Sequence, residues 1–288
     1  MALDRRQATA VGFGAVLLWG TLAPLAVAAK AVPPFQMTAT AFGFAFAFQI
    51  GLWLARGQSP SERLRLPAAA WLHGVYGLFG YHALYFFAFR RAQAVEVNLI
   101  NYLWPLLIVL FSALLPGERL RALQVLGALV GFAGVAAMIG GDGAPAFETG
   151  HAIGYVAALG CAVVWSSYSV SARLLSQVPS DAVGGACGAT AALALVCHLA
   201  FETTHGPDVA EWLMMAAMGL GPTGAAFLMW DVGMKRGNMP LLGVAAYAAP
   251  VLSTALLIVL GLGEFRPAVA LACLAVALGA ALAGRRSA

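Results

Sequence analysis

Residues 98–118 read NLINYLWPLLIVLFSALLPGE, and a weaker copy at residues 243–264 reads GVAAYAAPVLSTALLIVLGLGE. Both stretches place a tyrosine three residues before a proline, continue with an apolar run and end in Gly-Glu. The tyrosine–proline pair recurs after 145 residues and the Gly-Glu pair after 146. An apolar chain built from two copies of one unit is typical of membrane transporters, which hold their substrate between the copies.

The composition places the chain in a membrane. It has 288 residues, of which 61% are hydrophobic and 10% are charged, whereas soluble domains carry roughly 25% charged residues. The runs are solidly apolar and lack the alternation of β-barrel strands, so we expect an all-α polytopic membrane protein. A spanning helix needs about 20 apolar residues, and ten segments qualify: 8–29, 35–55, 68–89, 94–115, 120–140, 153–175, 182–201, 212–234, 240–262 and 267–284.

The distribution of positive charge predicts the orientation of these segments. With the N-terminus in the cytoplasm, the cytoplasmic ends carry twelve Lys and Arg residues and the outer ends carry four. This asymmetry follows the positive-inside rule, although Arg90 and Arg91 fall at an outer end. We therefore expect a multi-pass protein of the bacterial inner membrane with both termini in the cytoplasm. The net charge of +4 is accounted for in this way, and we expect no nucleic-acid partner.

The cysteines give no sign of a disulfide or a metal site. Cys161, Cys187, Cys197 and Cys273 all lie in apolar segments. Cys187 and Cys197 share one segment, and ten residues of helix separate their Cα atoms by about 15 Å, too far for a disulfide. We expect no disulfide, no metal and no cofactor.

The repeat divides the ten segments into five and five. We expect two repeats, residues 1–142 and residues 150–288, in one integrated membrane domain. Trp19 recurs as Trp165 after 146 residues, and Arg91 recurs as Arg236 after 145. Because five is odd, the second repeat must enter the membrane upside down relative to the first. Inverted repeats hold a substrate near the midplane, in a central cavity that opens to each side in turn.

These motifs resemble those of the drug/metabolite transporter superfamily, in its ten-helix branch with two EamA-type halves. The resemblance rests on Trp19 and Trp165 and on the twin units from Pro105 to Glu118 and from Pro250 to Glu264. The segments 81–85 and 98–105 resemble bacterial superfamily members that export aromatic amino acids. The resemblance implies an exporter that works by alternating access.

A polar face runs along the fourth segment. Asn98, Asn101, Tyr102 and Pro105 are spaced i, i+3, i+4, i+7 and share one side of a helix. Carboxamides facing lipid would cost several kcal/mol each, so they must face protein or a wet cavity. Pro105 has no N–H and should free the carbonyl of Asn101 for a ligand ammonium. The alternative is hydrogen bonding between helices that holds the bundle together.

The ninth segment repeats this face with small residues. Gly243, Ala246, Tyr247 and Pro250 take the four positions, and Pro250 should free the carbonyl of Ala246. Small side chains either leave room for a bulky ligand or let helices approach closely.

Aromatic residues on three segments complete the expected site. Tyr81, His82 and Tyr85 share a face, and Trp19 and Trp165 lie deep in segments one and six, where they could hold an aromatic ring between them. The alternative for each is a packed core. The expected substrate contacts are Trp19, Tyr81, His82, Tyr85, Asn98, Asn101, Tyr102, Trp104, Trp165, Tyr168 and Tyr247, with Pro105 and Pro250 as hinge or freed-carbonyl positions.

The charged residues narrow the mechanism. No Asp or Glu has a clear midplane position, so we expect facilitated diffusion without ion coupling. Asp231 and Lys235 are spaced as a local i, i+4 ion pair, and Gly117 and Gly263 should terminate helices.

We therefore expect an inner-membrane exporter of aromatic and other apolar amino acids, with the lipid bilayer and a small-molecule substrate as partners. No obligate protein partner and no enzyme motif is evident. The alternatives are an exporter of hydrophobic cations with the same fold, which would use cation–π attraction, and a non-transporting membrane scaffold or sensor.

Overall fold

The chain was analysed as a computed structural model that describes residues 3–140 and 147–285. The ends of the two predicted repeats, at residues 1–2, 141–142 and 286–288, lie outside the described residues. The described chain is helical, without strands, and we label its ten long helices in chain order. They are α1 Arg5–Ala28, α2 Pro34–Ala55, α3 Ala68–Phe89, α4 Ala94–Ser112, α5 Ala122–Gly140, α6 Thr149–Leu175, α7 Ser180–Phe201, α8 Val209–Arg236, α9 Met239–Val259 and α10 Pro267–Gly284.

Nine of these helices within the described ranges are long and apolar enough to cross a membrane. Helix α3 is the tenth, and it is less apolar because it carries two histidines and three tyrosines. The prediction of an all-α multi-pass membrane protein is confirmed. We call the end of the bundle that carries Arg56, Arg173 and Lys235 the inner end, and the opposite end the outer end.

The predicted segments match the helices to within a few residues. Helices α3 and α10 have the predicted bounds, whereas α8 begins at Val209, three residues before the predicted start at Trp212. Asp208 caps this helix: its side chain accepts from the Glu211 N–H, and the Glu211 side chain accepts from the Asp208 N–H. Such a capping box satisfies backbone donors at the helix start, so the polar residues belong to the helix.

Three helices are interrupted in mid-membrane. Helix α1 breaks at residues 20–21, α4 at residues 102–103 and α9 at residues 246–247. Pro105 and Pro250 therefore lie in the first turn of a second helical piece, where a missing N–H is tolerated. The carbonyl of Ala246 is not free as expected, because it accepts a hydrogen bond from the Ala249 N–H at 3.1 Å. Pro250 cannot donate the usual bond to this carbonyl four residues earlier. The Ala249 N–H donates in its place, across three residues instead of four.

Two helices contain a π-helical stretch at related places in the repeats. Residues Tyr76–Gly80 form it in α3, and Gly219–Ala225 form it in α8. The second stretch contains Pro222, which lacks an N–H for regular helical bonding. The sequence pattern gave no sign of the first stretch, because a π turn keeps the same apolar composition as the helix around it.

Glycines bring neighbouring helices into close contact. Gly127 of α5 and Gly279 of α10 face each other so closely that a Cβ on either would overlap the other's carbonyl oxygen. Gly74 faces Ala186, and Gly77 faces the ring of Tyr168. These contacts are packing seams, since small residues let membrane helices approach closely.

The helix ends differ between the two copies. Gly117 has a φ of +81° and lies in a turn after α4 has already ended at Ser112, so it does not terminate that helix as predicted. In the second unit the residue with positive φ is Gly261, at +71°, rather than Gly263. The prediction for Gly263 is wrong because α9 already ends at Val259.

Candidate functional site

Five aromatic rings meet in the middle of the bundle. Trp19 is the hub: its centroid lies 4.9 Å from Trp230, 5.7 Å from Trp165, 6.2 Å from Trp104 and 6.2 Å from Phe227. These residues come from α1, α4, α6 and α8, so both repeats contribute. We call Trp19, Trp104, Trp165, Phe227 and Trp230 the aromatic cluster. Ring separations of this size with tilted planes are favourable aromatic contacts.

Two indoles of the cluster are fixed by hydrogen bonds. Trp19 Nε1–H donates to the carbonyl of Pro222 at 3.0 Å, within the π-helical stretch of α8. Trp230 Nε1–H donates to Ser169 Oγ at 3.0 Å. Buried indole N–H groups need such partners, and here the partners lie on helices of the second repeat.

Trp19 and Trp165 contact each other directly. Their ring planes are inclined at 71° with centroids 5.7 Å apart, which leaves no space for a third ring between them in this conformation. A ligand ring that enters between them must first separate them.

Two tyrosine–asparagine pairs form a polar row beside the cluster. Asn101 Nδ2 donates to Tyr81 Oη at 3.1 Å, and Tyr85 Oη–H donates to Asn98 Oδ1 at 3.1 Å. The two tyrosine rings stack at 5.7 Å, and Tyr81 lies 5.5 Å from Trp165. The asparagines thus make the α3–α4 hydrogen bonds that the alternative interpretation foresaw. Asn101 Oδ1 is nevertheless buried without a hydrogen-bond partner in the described chain, so one acceptor is left over.

His82 adjoins the polar row at Tyr81, and Tyr168 adjoins the aromatic cluster at Trp165. His82 Nδ1–H donates to the Leu78 carbonyl at 2.7 Å, and its ring packs 5.1 Å from Phe42. Tyr168 is buried, 5.4 Å from Trp165 and 4.5 Å from His73. His82 is therefore anchored to its own helix, while Tyr168 links the cluster to the inner half of α3.

Tyr247 lies away from the aromatic cluster, and Tyr102 lies between Tyr247 and the tyrosines of the polar row. Both pack in a cluster formed with α5 and α10, which includes Val135 and Val276. Tyr247 is fully buried there against Gly131 and Phe132. The structure does not bring Tyr247 to the aromatic cluster, because the break in α9 turns it toward α5.

The small residues of α9 serve helix packing. A Cβ on Gly243 would lie 3.1 Å from the carbonyl oxygen of Pro105 and 3.1 Å from a methyl group of Ile108. Ala246 is fully buried. Of the two interpretations of this face, close approach of α9 to α4 is the one the contacts favour.

Comparison with known proteins gives the family. The EamA-like transporter family matches residues 7–140 and residues 152–285.

The chain belongs to the EamA-like transporter family.

Three named relatives are similar to this EamA-like chain over most of its length. The aromatic amino acid exporter YddG of Ancylobacter novellus is 51% identical over 282 residues, 98% of each chain. The protein of that name from Escherichia coli K12 is 29% identical over 90% of each chain, and that of Salmonella typhimurium is 29% identical over 88% of each. A solved crystal structure, 50% identical over 98% of each chain, superposes with a TM-score of 0.93.

An arginine joins both EamA repeats at the inner end. Arg173 Nη1 donates to Glu118 Oε1 at 2.7 Å, Nε donates to the Met234 carbonyl at 3.0 Å, and Nη2 donates to the Gly237 carbonyl at 2.7 Å. Glu118 belongs to the first repeat, and Arg173 and its carbonyl acceptors belong to the second. The sequence predicts no partner for Glu118, although its recurrence as Glu264 is a signal of a shared role.

The predicted ion pair on α8 is also present. Lys235 Nζ lies 2.8 Å from Asp231 Oδ2, and it donates to the Val178 carbonyl at 2.9 Å. Phe227 and Trp230, on the same helix, are cluster members that the sequence reasoning missed, because an apolar helix offers no pattern that separates cavity-facing rings from lipid-facing ones. Their only sequence signal was their place three residues apart near Asp231.

Proposed function

We propose that this chain exports aromatic and other apolar amino acids across the bacterial inner membrane. The observation that carries the proposal is the polar row of Tyr81, Tyr85, Asn98 and Asn101 directly beside the aromatic cluster. The row offers neutral hydrogen-bonding groups and the cluster offers aromatic walls, which together suit a small molecule with one polar end and one apolar end. Relatives named as aromatic amino acid exporters support the same substrate class.

Each end of the substrate has a proposed contact. The side chain inserts between Trp19 and Trp165 once these rings separate. The α-ammonium group binds the unpartnered Oδ1 of Asn101. A buried acceptor without a donor is unfavourable by about 1–3 kcal/mol, and an incoming ammonium removes that penalty. Tyr102 and Tyr247 act indirectly in this proposal, by holding α4 and α9 against α5.

Transport is proposed to be uncoupled. The aromatic cluster and the polar row contain no Asp, Glu, Lys or Arg, whereas proton exchange across membranes ordinarily uses an intramembrane ionisable group. The amino-acid gradient then drives the flux, with export following from a high cytoplasmic concentration.

Alternating access is proposed to follow from the two inverted five-helix repeats in one membrane domain, with both termini in the cytoplasm. In this orientation the Arg173 contacts close the cytoplasmic side. The counterpart of Glu118 in the second repeat is Glu264, which lies at the outer end beside a cavity of about 330 Å³ that Arg266 and Thr254 also line. The described conformation is thus closed at the inner end.

Counterflow in proteoliposomes tests the function. Vesicles loaded with unlabelled Phe should accumulate labelled Phe and Trp, and protein-free vesicles should not. If a preset proton gradient drove uphill accumulation of Phe, the uncoupled mechanism would be wrong. Absence of Phe and Trp counterflow in well-folded protein would remove the proposed substrate class.

Export of hydrophobic cations is a second candidate, favoured by the aromatic cluster itself. Cation–π attraction is worth up to about 2 kcal/mol at a desolvated ring, and Trp19 gathers four rings around it. Expression should then protect cells from quaternary ammonium compounds, and unchanged toxicity would exclude this activity.

A further inference from the structure

A buried acid–base pair lies next to the aromatic cluster and has no part in the proposed function. Asp231 follows Trp230 in α8, and its carboxylate lies 2.8 Å from Lys235 Nζ, with side chains 8% and 6% exposed. Burying both charges carries a desolvation penalty that can exceed their attraction. Such a pair adds little to stability, so its position calls for a functional explanation.

The pair borders a cavity that leads toward the cluster. The cavity has a volume of about 30 Å³ and is lined by Asp231, Lys235, His73 and Tyr168, enough for one or two water molecules. Tyr168 also contacts Trp165, so a single side chain separates the cavity from the aromatic cluster. The remaining lining residues are mostly small or apolar: Leu66, Ala70, Trp71, Gly74, Leu175, Val178, Pro179, Ala182, Val183 and Ala186.

The two charged groups still have bonding capacity. Asp231 contacts Lys235 Nζ at 2.8 Å through Oδ2 and also accepts from the Ser180 hydroxyl, and a carboxylate has about four acceptor sites. Lys235 donates to one carbonyl, that of Val178, and an ammonium group has three donors. We propose that Asp231 and Lys235 bind the zwitterionic end of the amino acid on the inner side of the transporter. Asp231 accepts from the α-ammonium group, and Lys235 donates to the α-carboxylate.

A zwitterion suits this pair better than a simple ion. It is neutral overall, so its insertion between Asp231 and Lys235 adds no net charge to a buried site and gives each group an opposite charge. An amine without a carboxylate would leave its positive charge beside Lys235, and an acid without an ammonium group would leave its negative charge beside Asp231. Two like charges close together in a buried site repel each other strongly, because little water is present to screen them.

The contacts of Arg173 explain how the cavity enlarges. Arg173 holds the carbonyls of Met234 and Gly237, which flank Lys235 at the end of α8. When the hydrogen bonds of Arg173 to these carbonyls break, this end of α8 can move away from α6 and α7, and the cavity opens to the inner side. The site therefore forms in the inner-open conformation and collapses to the Asp231–Lys235 ion pair in the closed one.

This inference rests on the proposed function. It is tested in proteoliposomes of known orientation by measuring KM and inhibition constants separately from the inner and the outer side, with three related ligands. Phe is compared with phenethylamine, which lacks the carboxylate, and with 3-phenylpropionate, which lacks the ammonium group. Asp231→Asn should raise the inner-side KM for Phe about tenfold, as expected for a lost charged hydrogen bond, and lower the inner-side inhibition constant of 3-phenylpropionate, because the carboxylate that repels this acid is gone. Lys235→Met should raise the inner-side KM for Phe similarly and lower the inner-side inhibition constant of phenethylamine, because the ammonium group that repels this amine is gone. The outer-side KM should stay constant in both.

Two further variants separate recognition from folding. Asp231→Glu keeps a carboxylate and should stay within about threefold of the wild-type inner KM. Asp181→Asn is the matched control, because Asp181 is an equally buried inner-end carboxylate, bonded to Trp53 and Arg63, outside the cavity lining. Equal KM changes on both faces, equal changes for all three ligands, or no change would overturn the inference while leaving Phe transport established. Wild-type protein without Phe transport would overturn both the inference and the proposed function.

Discussion

At the scale of single residues, Trp165 connects the aromatic cluster to the polar row. Its ring lies 5.7 Å from Trp19, 5.5 Å from Tyr81 and 5.4 Å from Tyr168. The sequence identified Trp165, Trp19 and Tyr81 because indole and phenol groups deep in apolar segments are unusual. It could not separate Tyr247 from them, because the break in α9 that turns this side chain toward α5 has no signature beyond a proline three residues later.

Replacement of Trp165 should change selectivity more than capacity. Trp165→Ala removes a ring contact worth roughly 0.5–1.5 kcal/mol, so the KM for Phe and Trp should rise about three- to tenfold while the KM for Met changes less. Counterflow of the three amino acids measures the ratio. Trp53→Phe is a suitable control, since Trp53 is buried and bonded to Asp181 away from the cluster. A uniform loss for all substrates would assign Trp165 a structural role.

At the scale of helices, small residues mark the places where helices pack closely, and a proline lies just after each interruption. The length and position of the ten helices were predictable, because about 20 apolar residues in a row leave few alternatives in a membrane. The π-helical stretches and the exact breaks were not, because they depend on the bonds that neighbouring helices offer. The Trp19 indole, for example, reaches Pro222 only because α8 is distorted there.

The α5–α10 contact gives a prediction at this scale. Gly279→Ala places a methyl group against the Gly127 carbonyl and should destabilise the protein by about 1–3 kcal/mol, as overpacking does. Thermal melting in detergent measures the loss. Gly43→Ala is the control, since a Cβ on this mid-helix glycine of α2 meets nothing within 4 Å. Equal melting temperatures for both variants would show that α10 can shift outward freely.

At the scale of the whole molecule, the two repeats are fastened to each other at both ends, by Arg173 with Glu118 at the inner end and by Tyr155 with Glu96 at the outer end. The repeat itself was visible in the sequence as a shift of 145 to 146 residues. The fastening was not, because Glu118 and Arg173 are far apart in the chain and their pairing depends on how the repeats pack.

Loss of this fastening should expose the site to the inner side. Arg173→Gln removes the Glu118 contact and at least one carbonyl bond. Cys161 is a native reporter, buried with its sulfur 3.8 Å from the Tyr81 carbonyl. In protein with Cys187, Cys197 and Cys273 replaced, a membrane-impermeant thiol reagent on the inner side should label Cys161 about tenfold faster than in the parent, since a charged hydrogen bond is worth about 1.5–3 kcal/mol.

Arg56→Gln is the control for this experiment, because Arg56 is another inner-end arginine, more than half exposed and 4.0 Å from Asp181. An unchanged labelling rate in Arg173→Gln would mean that the inner end is closed by helix packing alone.

The π-helical stretches of α3 and α8 have a consequence for how such a chain can change by insertion and deletion. A π turn is equivalent to one extra residue inserted into an α-helix. Loss of one residue from within Tyr76–Gly80 would restore regular helix and leave the two halves of α3 in their present orientation. Loss of one residue from a regular part of α3 would instead rotate one half against the other by about 100°, the angle per residue of an α-helix, and would turn Tyr81 and Tyr85 away from Asn101 and Asn98. The π turn is therefore the place where α3 can change in length by one residue without changing what the membrane interior can bind.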